Sequence, residues 1–344
     1  MILGDRMFKK ILNAILEFIK EEYKFLIFAI LLYSILQFPL NYYIIVGGGT
    51  SDVSSRISVE NKYSSKGSFN ISYVTELEGT IFTYALSYVI PTWDREDANL
   101  YKYDEQESLE DIQFRSDLDL RSANSTATYW AYTLAGKEIK TTSSQIFVIA
   151  KFEDFDSPLK IGDEILSIDG HSYETISEYR EYLYTKKAGE TVSIDVNRKK
   201  AKKTLKATLY DYEDRVILGV GLQGVKDYET SPTLEIKFRG SESGPSGGLI
   251  STLEIYNQLT KKDITQGKKI AGTGTIEEDG TIGSIGGVTY KLLGAEKSKT
   301  EIFLVPSGQN YEDALQYKKS KKLKIKLIEV KTIQDAIEKL EKLK

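Results

Sequence analysis

The stretch FRGSESGPSGGLISTLEIY, Phe238–Tyr256, places Ser246 between Gly-Pro and Gly-Gly where a helix-patterned run begins. Just before it, Leu234, Ile236 and Phe238 alternate as in a strand; after it, Leu249, Leu253, Tyr256 and Leu259 mark one helix face. Strand, glycine-rich loop, serine and helix make an α/β unit in which glycines permit close approach and the first helical turn offers unpaired N–H groups. Three chemistries use such a unit. A phosphate loop requires G-x-x-x-x-G-K-[ST], and GSESGPSGGL has no lysine at that place. GPSGG satisfies the G-x-S-x-G nucleophile elbow, but that chemistry needs a histidine after the serine. The third is a serine activated by lysine. On the residues alone, Ser246 is either such a nucleophile or a plain helix cap.

Composition narrows the choice. The 344 residues contain no cysteine and one histidine, His171, which excludes cysteine nucleophiles, disulfide frameworks and Cys/His zinc sites. His171 follows Asp169-Gly170 in SIDGHSY and reads as an exposed turn residue. A net charge of −4 gives no general attraction to nucleic acid. A lysine base needs an apolar setting, because burial lowers its ordinary pKa of about 10.4. Many lysines stand in charged runs such as KKSKKLKIK, whereas Lys291 in IGSIGGVTYKLLGAEK follows a Gly-Gly turn and lies between Tyr290 and Leu292-Leu293.

GPSGGL followed by KIAGTGTIEEDGTIGSIGGVTYKLLGAEKSKTEIFLVP resembles the proteolytic domain of Lon-type serine proteases, over roughly Val216 to Lys344. The resemblance implies Ser246 as nucleophile, Lys291 as its base and Thr273 as the residue that holds the lysine. Gly244, Pro245 and Gly247 would support the serine, with backbone N–H groups from Gly244 to Gly247 binding the oxyanion. The chain departs from the family pattern at Ser243, often aspartate, and Gly247, often alanine. No phosphate loop occurs, so ATP-driven unfolding is not expected; neither are a nucleotide, another cofactor or a metal.

Working outward, QIFVIAKFEDFDSPLKIGDEILSIDG and GETVSIDVNR, within Gln145–Leu209, resemble a PDZ domain of the kind found with bacterial proteases. Such domains bind an extended peptide by adding it to a sheet edge. The glycine-rich carboxylate loop expected before Ile146 is replaced by KEIKTTSSQ, and RKKAKKTLK (198–206) reads as a solvated hairpin. Upstream, Ile57, Val59, Phe69, Ile71 and Tyr73 alternate as in strands. From about Glu105 to Ala135 the pattern is helical, with Leu109, Ile112, Ala127, Ala131 and Leu134 as inward positions; this region reads as a brace.

Phe25 to Val46 is free of charge for 22 residues, enough to cross a hydrocarbon core of about 30 Å. Arg6, Lys9, Lys10, Lys20 and Lys24 before it orient the amino end inward, and an uncleaved anchor is favoured over a signal peptide. The expectation is an α/β and α+β multidomain chain: cytoplasmic 1–24, transmembrane helix 25–46, membrane-proximal strands and helices 47–135, PDZ-like domain 136–213, Lon-like protease 214–344. Its order resembles surface-tethered Lon-like proteases of Gram-positive bacteria, some of which trim peptide pheromones. The function implied is an extracellular, membrane-tethered, ATP-independent Ser-Lys endopeptidase that takes peptides partly through the PDZ-like domain. The rivals are a catalytically silent scaffold and a peptide chaperone, and a homo-oligomer is left open.

Overall fold

The computed structural model describes residues 2–103, 107–238 and 242–343. Its elements run α1 (Ile2–Leu36), β1 (Pro39–Asp52), β2 (Ile57–Val59), β3 (Ser68–Thr80), α2 (Ile81–Val89), β4 (Asp94–Asp97) and α3 (Leu109–Leu134). Then follow β5 (Glu138–Lys151), β6 (Glu164–Ile168), α4 (Ile176–Tyr184), β7 (Thr191–Arg198), β8 (Ala201–Thr208), β9 (Tyr210–Tyr212), β10 (Arg215–Ile217) and β11 (Val220–Ser231). The chain ends with β12 (Leu234–Ile236), α5 (Gly248–Leu259), β13 (Lys269–Gly272), α6 (Val288–Lys297), β14 (Ile302–Pro306), α7 (Gln309–Lys321), β15 (Lys326–Val330) and α8 (Ile333–Glu341). It divides into two compact units, one of residues 1–46 with 75–100 and one of residues 47–74 with 101–344.

In the first unit the expected spanning helix of residues 25–46 is corrected. Helix α1 ends at Leu36, and Pro39 to Val46 are strand, paired antiparallel with β4 from Tyr42↔Asp97 to Ile45↔Asp94. Pro39 has no N–H and disfavours helix at the residue before it, and the Tyr-Tyr-Ile-Ile-Val that follows is aromatic and β-branched, which suits a strand. The last eighteen helical residues, Ile19–Leu36, include Lys20, Glu21, Glu22 and Lys24. Among the described residues no helix is long and apolar enough to cross a membrane. The uncharged run was real but belongs to two elements.

In the second unit, β13, β14 and β15 lie parallel, as alternation of strand and helix requires, and β13 also pairs parallel with β3, Lys269 opposite Ser68. The Gly47–Asp52 part of β1 follows β3 in the sheet order. Every residue of β14 is buried, the mark of a strand covered on both faces. Alternate residues serve opposite faces: Ile270, Ile302 and Leu304 join a core with Leu249, Ile250 and Leu253 of α5, while Ala271, Phe303 and Val305 pack with Leu292 of α6 and Ala314 of α7. The upstream segment of alternating Phe69, Ile71 and Tyr73 thus supplies this sheet with β3. Helix α3 packs Ala127 and Ala131 into the α5 core, whereas Leu109, expected inward, is exposed at its first turn. Residues 104–106, where the helical pattern was read to begin, lie outside the described residues.

Between α3 and β12 the chain forms a separate antiparallel sheet, ordered β11-β5-β6-β7-β8, with α4 beside it and its own core. Asp169 and Gly170 adopt positive φ, 49° and 79°, in the expected tight turn, and His171 is exposed there. Lys199 and Lys200 form the β7–β8 turn with φ 50° and 67°. The hairpin is solvated except at Leu205, half-buried against the core, and at Arg198, whose guanidinium grips the fully buried Asp163 at 2.7 Å through two nitrogens. In this way the turn Gly162-Asp163 is tied to the end of β7.

Candidate active site

Helix α5 is capped by Gly247 with no side-chain hydrogen bond, so Ser246 does not act as a helix cap. Its hydroxyl lies elsewhere: Lys291 Nζ donates to Ser246 Oγ at 3.1 Å. The same nitrogen donates to Thr273 Oγ1 at 3.3 Å, and Thr273 Oγ1 donates to the Ser246 carbonyl at 3.3 Å. The three residues expected to act together are therefore in mutual contact, although 45 and 18 positions separate Lys291 from Ser246 and Thr273.

Backbone geometry fixes each of them. The loop before the serine turns at Gly244, with φ +80°, and Gly244 N–H is held by the Ser116 carbonyl of α3 at 3.1 Å. A Cβ on Gly248 would lie 2.7 Å from the Ile276 side chain and 3.0 Å from its backbone nitrogen, so close packing favours glycine there, whereas one on Gly247 would meet only the mobile tip of Ile71 of β3, at 2.9 Å. Gly274 N–H donates to the Ser246 carbonyl at 2.9 Å while its own carbonyl accepts from Leu249 N–H at 3.1 Å, which docks the serine turn onto the end of β13. Pro245 accepts from Gly248 N–H at 3.1 Å. Since Gly244 and Gly248 N–H are engaged, Ser246 and Gly247 supply the N–H groups of this turn to which no acceptor is assigned among the described residues.

Lys291 stands in the first turn of α6, behind Gly287 in a left-handed conformation of φ +67°. Its residue is 5% exposed, Thr273 is fully buried, and Leu292 and Val288 pack beneath. An ammonium loses hydration in such a place, and the 3.1 Å separation brings Nζ and Oγ within direct proton-transfer distance. Sequence reading overlooked Asn310 in the first turn of α7. This buried amide accepts from Ile285 N–H at 2.8 Å and donates to Ile285 C=O at 2.9 Å, gripping the turn that leads into Lys291. Only pairing across 25 residues reveals it.

On the β5–β11 sheet, no carboxylate loop precedes Ile146 because β5 begins already at Glu138 and pairs with β11 as far as Ser231. The glycine turn that leads into an edge strand is instead Leu218-Gly219-Val220, with Gly219 at φ +71° and its carbonyl accepting from Phe152 N–H at 3.2 Å. Among the described residues no group of three or more His, Cys, Asp or Glu side chains is placed to hold a metal ion.

Residues 138–209 match the PDZ domain family model, and residues 240–342 match that of the Lon protease (S16) C-terminal proteolytic domain. The chain therefore carries one segment similar to PDZ domains and one similar to the Lon proteolytic domain. The Lon protease of Trichlorobacter lovleyi is 31% identical over 96 residues, 28% of this chain and 11% of that protein, so the chain spans about a tenth of that relative. Among solved structures, the PDZ domain of an SdrC-like protein of Listeria monocytogenes is 26% identical, covering 24% of this chain and 92% of that one at a TM-score of 0.23. Its counterpart from Listeria innocua is 27% identical over 23% and 92%, with a TM-score of 0.22. The Lon-like match spans Ser246, Thr273 and Lys291.

Proposed function

We propose that this protein is a serine endopeptidase whose nucleophile is Ser246 and whose general base is Lys291. The observation that carries the reading is the 3.1 Å approach of Lys291 Nζ to Ser246 Oγ in a buried setting. Neutral Lys291 takes the hydroxyl proton as Oγ attacks the peptide carbonyl carbon, and the lysinium returns that proton to the leaving amine. Ser246 and Gly247 N–H face the developing oxyanion, each such donor contributing about 3 kcal/mol. Water then attacks the acyl-enzyme with Lys291 again as base. Thr273 holds the amine toward Oγ.

The substrates are peptides or exposed segments, cleaved without ATP, and the PDZ domain receives them as a strand added to β11 beside the Leu218–Val220 turn. Maturation of a secreted signalling peptide fits this reading. The protein works at the outer face of the cell membrane, with the apolar end of α1 in contact with lipid. A fluorophosphonate probe should label Ser246 in the wild type and not in Lys291→Ala, and Ser246→Ala should abolish cleavage of a peptide mixture followed by mass spectrometry. Peptide binding with no cleavage by the wild type would instead establish a scaffold or chaperone.

A further inference from the structure

A second uncharged run, Gly79 to Trp93, GTIFTYALSYVIPTW, has fifteen residues and contains α2. Helix α2 starts where α1 stops, with Ile81 N–H donating to the Phe38 carbonyl at 3.2 Å. It does not hide its apolar side chains: Tyr88 is 67% exposed and Val89 75%, and Phe82 is exposed as well. Ser87 is its buried residue. At the margin sits a ring of aromatics and one cation. Tyr84 packs against Tyr42 at 5.0 Å and Tyr88 at 5.6 Å, and the Arg95 guanidinium lies 3.9 Å from the Tyr88 ring centre. Trp93, half-buried, closes the run, with Asp94, Arg95 and Glu96 beyond it.

We propose that α2 and the Ile90–Trp93 turn form a membrane-interface patch that lies in the headgroup region of a lipid bilayer. The occupant follows from α1. From Phe25 to Ile35 the exposed side chains of α1, among them Phe25, Ile27, Phe28, Ile30, Leu31 and Tyr33, are spread around the whole helix axis at about 100° per residue. A protein groove covers one stripe of a helix; a surrounding apolar medium covers all sides. The same unit begins α2 at the end of that apolar stretch, and Tyr, Trp and Arg beside an uncharged helix are the composition of an interfacial belt. Lys20 and Lys24, exposed before the apolar stretch of α1, suit headgroup phosphates at its far end. This inference rests on the proposed membrane location.

The test uses the full chain with Trp130→Phe, which leaves Trp93 as the sole tryptophan, reconstituted with phosphatidylcholine–phosphatidylglycerol vesicles. The protein should float with the vesicles, and lipids brominated near the headgroup should quench roughly half or more of Trp93 emission, deeper bromines less, as a helix lying 5–10 Å into the interface requires. Adding Tyr88→Glu and Val89→Glu, both at exposed positions, should return quenching to the level seen with lipid-free soluble quencher. Flotation with Trp93 insensitive to bromine would overturn the inference and leave the membrane location standing. A blue-shifted but bromine-insensitive Trp93 would assign the patch to a second copy, which also overturns it. Failure to float would overturn the location and the inference with it.

Discussion

At the scale of single residues, the proposed mechanism depends on a lysine that must be both buried and deprotonatable. Arginine at 291 keeps the charge and the donors but cannot act as base. Lys291→Arg should therefore lose on the order of a thousandfold in kcat, the upper part of the range for general acid–base catalysis, with a near-normal thermal transition. Thr273→Val keeps volume and burial but frees the amine from the Thr273 hydroxyl, so a loss of about tenfold is expected, within the cost of a misplaced catalytic group. Turnover of a fluorogenic peptide by the folded variants checks both. Asn310 holds Ile285 by two bonds. Asn310→Ala should lower kcat about ten- to hundredfold with KM unchanged, because only the aim of Lys291 is altered. Asn310→Asp, which keeps the acceptor for Ile285 N–H, should retain more activity than alanine. Equal kcat in all three proteins would reduce Asn310 to a structural clamp. That Ser246 and Lys291 meet was legible from their loop motifs, and that Thr273 joins them from the family resemblance; Asn310 was not legible, because an asparagine at a helix start looks like any other cap until its partner is known.

At the scale of elements, α5 is the instructive case. Its sequence marks one apolar face, and Leu249, Leu253 and Leu259 are indeed buried with Tyr256 half-buried. Yet Thr252, Glu254, Asn257 and Gln258 are buried too, because sheet, α3 and α8 close around the helix. Periodicity reports one face and cannot announce neighbours contributed by distant chain. The buried polar groups find partners instead: Gln258 bridges Glu254 and the Ile57 carbonyl, at 2.6 and 2.9 Å, and accepts from Val59 N–H at 2.9 Å. Burial pushes the Glu254 carboxyl above the usual carboxylate range, and the hydrogen bond from Gln258 opposes this. A raised folded-state pKa means that the stabilising protonated form is fully present below the ordinary value of about 4.3, and the stability is lost as pH rises through the raised one. Wild-type thermal stability should therefore fall from mildly acidic toward neutral pH relative to Glu254→Gln, an isostere that still accepts from Gln258. Parallel melting curves for the two proteins would refute the assignment. The uncharged run of residues 25–46 failed for a related reason: hydropathy has no direction, and Pro39 divides it between helix and strand.

At the scale of the molecule, the PDZ domain is an insertion within the catalytic sheet's own sequence. Pairings such as Lys269 with Ser68 span 201 positions, and no local pattern records them, which is why the upstream strands were not assigned to this sheet. The chain leaves the catalytic core after α3 and returns through β11, and the β5–β11 ribbon is fastened to α3 on the way. Arg121 of α3 bonds Gln145 and both oxygens of Asp227, the latter at 3.0 and 2.9 Å, and Ser125 donates to the Lys226 carbonyl at 2.6 Å. Helix α3 in turn holds Gly244, two residues before the nucleophile, through Ser116. Removing the whole ribbon would therefore disturb the serine loop and confuse substrate capture with folding. A cleaner cut follows from the register: Gln145 pairs directly with Val225, so Ile146–Gly224 can be replaced by Asn-Gly, the turn that closes a two-residue hairpin. The shortened protein keeps Arg121, Asp227, Ser125 and Lys226 in place. If the PDZ domain captures substrate, kcat on a short peptide should remain within about twofold while KM for a long peptide rises tenfold or more, since only uniform binding is lost. A fall in kcat on the short peptide, with α3 and the catalytic sheet still folded, would show that the inserted domain sets the geometry at Ser246 rather than gathering what it cleaves.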